Sequence, residues 1–126
     1  MTVGAPGLVL VVDDDDDFRE TVVLVLAAHG WVVRAASDGA EALALLRGGL
    51  RPALILMDLF MPVMGGLEVC EELSHDPELR HIPVAILSGD RDAFDAPPPP
   101  GVRMLSKPVR LDVLLAVVTA SGEHDV

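Results

Sequence analysis

The chain has 126 residues, 51% of them hydrophobic, which suits one packed domain and argues against disorder. Twenty acids against nine bases leave a net charge of −11, with the bases scattered singly, so a nucleic-acid backbone would be repelled and no direct nucleic-acid partner is expected. The lone Cys70 excludes an internal disulfide. With no leader and no apolar stretch long enough to cross a membrane, a cytoplasmic location without a membrane partner is expected.

Leu8 to Val12 reads as a first strand, followed by five aspartates, Asp13 to Asp17. Asp16 or Asp17 can cap a helix from about Phe18 to His29, whose inward side would carry Phe18, Val22, Val25, Leu26 and His29. Gly30 suits the stop of that helix. Trp31 to Ala35 reads as a second strand. Asp38 precedes Glu41 by three, the spacing of a capping box for a helix from Gly39 to about Arg47.

The central strand is read at about Ala53 to Met57, an apolar run ending against Asp58. Such a run fits a strand buried on both faces of a parallel sheet. Met61 to Gly66 reads as a loop and Leu67 to Ser74 as a helix with Leu67, Cys70 and Leu73 inward. Glu78 to His81 reads as a turn, and Val84 to Leu87 as the fourth strand, ending against Ser88. Asp90 to Ala96 can form one or two helical turns. Pro97 to Pro100 lack backbone donors, so a shortened or irregular fourth helix and an extended strap are expected. Val102 to Leu105 reads as the fifth strand, and Arg110 to Ala120 as the last helix, with Leu111, Leu114, Leu115 and Val118 on one face and Val113 and Val117 on the exposed side.

Strands alternating with helices imply right-handed crossovers and an open parallel sheet with helices on both faces. In such a sheet, ligands bind at the carboxyl edge of the strands. Asp13, Asp14, Asp58, Ser88 and Lys107 all follow strands and would converge there. Three carboxylates suit a hard cation such as Mg2+, which takes oxygen ligands and keeps several waters. Lys107, the only lysine, would add a fixed positive charge and Ser88 a hydroxyl donor. An aspartate at such a site can act as nucleophile towards a phosphoryl group and form an acyl phosphate. Asp15, Asp16 and Asp17 are better read as a solvated loop and cap.

Four motifs carry a resemblance: Val11-Val12-Asp13-Asp14, Met57-Asp58-Leu59-Phe60-Met61-Pro62, Leu87-Ser88-Gly89 and Ser106-Lys107-Pro108. Each alone is weak; in this order and spacing, over Leu8 to Ala120, the chain resembles the receiver domain of bacterial two-component response regulators. The resemblance implies an α/β flavodoxin-like (βα)5 three-layer sandwich with strand order 2-1-3-4-5. It implies one receiver domain over 1–126 with its core at 8–120. Asp58 would be the phosphoacceptor, supplied by a sensor histidine kinase or a histidine phosphotransfer protein. Asp14 and Asp58 would bind Mg2+ with the Phe60 carbonyl, with Asp13 acting through water; Mn2+ or Ca2+ could substitute. Ser88 would be the switch hydroxyl, Lys107 a phosphoryl contact, and the Lys107–Pro108 bond cis. An output protein and a weak homodimer belong to the same expectation. Phosphoryl chemistry would be limited to self-phosphorylation from the donor and autodephosphorylation.

The chain departs from the family pattern at three places. Gly65 replaces the usual acid before the loop glycine. Met104 stands where the family commonly has tyrosine or phenylalanine, and would take over the switch position. The tetraproline falls where the family's fourth helix lies. Two other readings compete: a pseudo-receiver that binds proteins without phosphorylation, and a small phosphatase using Asp13 as nucleophile and Asp15 as acid.

Overall fold

In the computed structural model, which describes residues 7–89 and 101–122, five short strands form one parallel sheet. They are β1 (Leu8–Val12), β2 (Val32–Ala36), β3 (Leu54–Asp58), β4 (Val84–Ser88) and β5 (Val102–Ser106), in the order β2-β1-β3-β4-β5. The helices are α1 (Asp16–Ala28), α2 (Gly39–Arg47), α3 (Gly66–Ser74) and, last among the described residues, α4 (Leu111–Gly122). The shortened fourth helix and the tetraproline strap of the sequence reading lie outside the described residues.

The central strands are apolar at successive positions because both faces of the sheet are covered. β1 and β4 are buried throughout, and β3 is buried up to Asp58. Alternation along each strand splits the core into two layers. Leu10, Val12, Ile55, Met57 and Ile86 pack with residues of α2 and α3, among them Leu43, Leu46, Val69 and Leu73. Val9, Val11, Leu54, Leu56 and Ala85 pack with Val22 and Leu26 of α1 and Leu114, Val117 and Val118 of α4. Burying each such side chain is worth roughly 1.5–3 kcal/mol against leaving it in water.

Local chemistry sets the helix ends. Asp15 caps α1, its carboxylate accepting from the Phe18 N–H at 3.2 Å; Asp16 and Asp17, expected to cap, instead lie within the first turn, where negative charge is also favoured. Asp38 caps α2 by accepting from the Glu41 N–H at 2.8 Å. Glu41 reaches back to the N–H and hydroxyl of Ser37, so the expected capping box closes one residue early. Gly30 follows α1 at φ +91°, a conformation that suits glycine and stops the helix.

Four inward assignments change. Leu67 is exposed, and Val69 takes the buried position beside Cys70 and Leu73. In α4, Val117 is buried at 6% exposure, whereas Leu111, expected inward, is 48% exposed. His29 is exposed, its ring Nδ1 2.9 Å from the Val25 carbonyl oxygen. Leu79, in the turn before β4, is buried in the α2–α3 layer. β2, β3, β4 and β5 each extend one residue further than the sequence suggests, and β2 and β3 also start one later.

Candidate functional site

The parallel register brings the ends of β1, β3, β4 and β5 to one edge. Val12 pairs with Met57, Asp58 with Leu87, and Ser88 with Ser106. Asp13 and Asp14 follow β1, Asp58 ends β3, Ser88 ends β4, and Lys107 follows β5. The sequence-derived set therefore meets at the carboxyl edge of the sheet.

Asp13, Asp58 and Lys107 are held by direct contacts. Asp13 is 1% exposed; one of its carboxylate oxygens accepts from the Asp15 N–H at 2.9 Å and the other meets Lys107 Nζ at 3.0 Å. A buried carboxylate needs such partners, because an unpaired charge in the interior is costly. Asp14 points to solvent, and Asp58 is half-buried. Lys107 Nζ lies 3.1 Å from Asp58 Oδ1, so one ammonium bridges the two carboxylates. The Lys107 N–H donates to the Ser88 carbonyl at 2.8 Å, which ties the turn after β5 to the end of β4. The Lys107–Pro108 peptide bond is cis. Ser88 is buried. Met104 is half-buried and packs against the α2–α3 layer.

The loop after β3 is held close to the site. Gly66 packs where a Cβ would stand 2.7 Å from the Asp58 carbonyl oxygen, so a larger residue there would displace the end of β3. The Gly66 N–H donates to the Leu59 carbonyl at 2.8 Å. Glu68 accepts from the Gly65 N–H at 3.1 Å and so caps α3 where Gly65 has no side chain to do it. The Phe60 side chain is exposed.

Electrostatics follow from this crowding. Burial pushes the Asp58 carboxyl above its ordinary value; Lys107 pulls it down, and the charges of Asp13 and Asp14 push it up. Burial alone would lower the Lys107 pKa, but hydrogen bonds and charges from Asp13 and Asp58 raise it above the usual lysine value. Lys107 therefore remains a cation at neutral pH. Oxygens of Asp13, Asp14 and Asp58 lie within 4.8 Å of one another, a donor set that fits a hard divalent cation.

Two residues that the sequence reading left out touch this constellation. Phe18, read as a core position of the first helix, has its ring centroid 4.4 Å from Lys107 Nζ. Arg19 donates from Nη1 to the Asp13 carbonyl at 2.6 Å and pairs with Asp16. Neither contact has a signal in local spacing, because each depends on how α1 leaves the loop after β1.

The family model described as the response regulator receiver domain matches residues 9–119. The chain belongs to that family. Its relatives include a DNA-binding response regulator, MtrA of Mycolicibacterium smegmatis, 38% identical over 87 residues, which are 69% of this chain and 36% of that protein. The response regulator PleD of Caulobacter vibrioides is 41% identical, over 66% of this chain and 19% of its own. The receiver thus spans about a third or less of these curated relatives. Among solved structures, a response regulator receiver protein from Pseudomonas putida superposes with a TM-score of 0.81 at 33% identity, covering 94% of this chain and 99% of that one. The signal receiver domain of a histidine kinase from Syntrophus aciditrophicus gives 0.81 at 28% identity, covering 94% and 91%. The chemotaxis protein CheY4 of Vibrio cholerae gives 0.77 at 28% identity, covering 91% and 98%. No helix among the described residues is long and apolar enough to cross a membrane.

Proposed function

We propose that this receiver is a working phosphoacceptor, taking a phosphoryl group onto Asp58 from a phosphohistidine donor. The observation that carries the reading is the single ammonium of Lys107 bridging Asp13 and Asp58 beside the exposed Asp14, on neighbouring strand ends. A structural ion pair would need one carboxylate. Three, at the edge where parallel sheets bind ligands, match a site that gathers a cation and a phosphoryl group.

An Asp58 carboxylate oxygen attacks phosphorus. A P–O bond forms and the P–N bond of the phosphohistidine breaks; its electron pair stays on the imidazole nitrogen, which regains a proton. Asp14, Asp58 and the Phe60 carbonyl would hold Mg2+, with Asp13 acting through water, and Mn2+ or Ca2+ could substitute. The bound ion supplies charge neutralisation for the phosphoryl oxygens. Lys107 supplies a fixed positive charge to a second oxygen, and the Ser88 hydroxyl donates to a third. Positioning and charge neutralisation are most of what phosphoryl transfer asks of a protein. Return to the free carboxylate follows when water attacks phosphorus and the acyl phosphate P–O bond breaks.

In this reading the donor is a sensor histidine kinase or a histidine phosphotransfer protein, in the cytoplasm. The chain acts as one receiver unit, and its state is passed to an output protein through Ser88 and Met104. The test is site mapping after incubation with an acyl phosphate and Mg2+. Borohydride reduces an aspartyl phosphate to homoserine, which marks the labelled residue by mass. Homoserine at position 58 supports the phosphoacceptor. Homoserine at position 13 favours the phosphatase alternative, and none anywhere favours a pseudo-receiver.

A further inference from the structure

We propose that Phe18 is a positioning residue for Lys107, holding the ammonium against its ring so that the charge stays aimed at the Asp58 carboxylate. The inference rests on the phosphoacceptor reading and extends it to a residue outside the acid–hydroxyl–lysine set. Among the described residues, Lys107 Nζ lies 3.0 Å from Asp13, 3.1 Å from Asp58 and 4.4 Å from the Phe18 ring centroid. The two carboxylates pull the ammonium towards the sheet edge, and the ring closes a further side.

An aromatic face attracts a cation through its quadrupole. It does so without an oxygen that would compete with the phosphoryl group for the ammonium protons or with the carboxylates for a metal. It also removes water from one side of the charge, which strengthens the field Lys107 presents where negative charge grows during transfer. A lysine stem is long and rich in rotamers, so its head gains most from a fixed partner.

Phe18 is well fixed. Its N–H donates to the Asp15 carboxylate at 3.2 Å, and its ring packs beside the α1–α4 layer of the core. The next residue, Arg19, donates to the Asp13 carbonyl at 2.6 Å. The first turn of α1 is thereby tied to the loop that carries Asp13, and ring, acid and ammonium keep one arrangement.

Lys107 is the only lysine in the chain, so lysine labelled with 13C at its terminal methylene alone gives one methylene carbon NMR signal. In the parent protein the protons on its terminal methylene should be shifted upfield by the ring current of Phe18. Phe18→Leu fills similar space without a ring, and the signal moves to the free-lysine position; Phe18→Tyr keeps the shift. In the second measurement, Asp58 displaces acetate from acetyl phosphate. The P–O bond to Asp58 forms, and acetate leaves with the electron pair of its own P–O bond. Phe18→Leu slows this labelling on the order of 3- to 10-fold, the size expected for loss of one cation–π contact, and Phe18→Tyr restores it. Phe18→Met replaces Phe18→Leu if the latter loses the parent amide spectrum. An unshifted lysine signal in the parent, an unchanged rate in Phe18→Leu, or equal slowing in Phe18→Leu and Phe18→Tyr overturns the positioning role while the parent still labels. A parent that takes no label overturns the phosphoacceptor reading, and this role with it.

Discussion

Cys70 shows how burial alone sets a residue's chemistry. It sits on the inward side of α3, and loss of water around the thiol pushes its pKa up to about 11 from 9.0. In the unfolded chain the thiol ionises first, so the unfolded state binds fewer protons above pH 9 and stability falls as pH rises. The contribution is intact below the unfolded value and is lost as pH climbs through the folded one. Denaturant titrations should show stability dropping by about 1–3 kcal/mol over that window, and the drop should be smaller in Cys70→Ala. A parent and Cys70→Ala with the same pH dependence would show that the thiol does not carry it. Asp13 and Lys107 show the complementary case, in which burial is compensated by a partner. The residues of the site were legible in the sequence because each follows an apolar strand run; their mutual distances were not, since the bridge from Lys107 to Asp13 depends on β3 and β4 separating the two chain segments in the sheet.

Elements were legible in proportion to how strongly their apolar pattern is punctuated. α2 was read closely at both ends, because Asp38 opens it and Gly48-Gly49 closes it. α4 was located, but its inward face was misassigned at two positions. Val113 to Val118 is unbroken apolar sequence, so periodicity cannot pick a side, and packing on the sheet decides. The difference is measurable. Val117→Ala should cost about 1–3 kcal/mol by opening space beside Leu114 and Val118. Leu111→Ala should stay within about 0.5 kcal/mol, as exposed substitutions usually do. Equal losses at the two positions would place the helix in a different rotation. In α3 the sequence placed Leu67 inward with Cys70 and Leu73, whereas the buried face runs through Gly66, Val69, Cys70 and Leu73, with Gly66 packed close to the Asp58 carbonyl.

At the scale of the whole molecule, a doubly covered parallel sheet makes its carboxyl edge the place where chemistry collects, and that much followed from strand–helix alternation. The sheet order and the family are shown by the structure and its relatives. The occupants of the edge are the proposal. If Asp14 and Asp58 hold Mg2+ only in the folded state, the ion should raise stability by about 1.4 kcal/mol at ten times its dissociation constant. Thermal unfolding with and without Mg2+ checks this: the increment should vanish in Asp14→Ala, and an equal increment there would place the ion elsewhere. The central claim is narrower, namely that Asp58 accepts the phosphoryl group. Intact-protein mass spectrometry of the parent and Asp58→Asn, each incubated with an acyl phosphate and either Mg2+ or a chelator, tests it most directly. The expected result is a gain of one phosphoryl group in the parent with Mg2+ and in no other sample; the same gain at an unchanged rate in Asp58→Asn would contradict phosphorylation at Asp58.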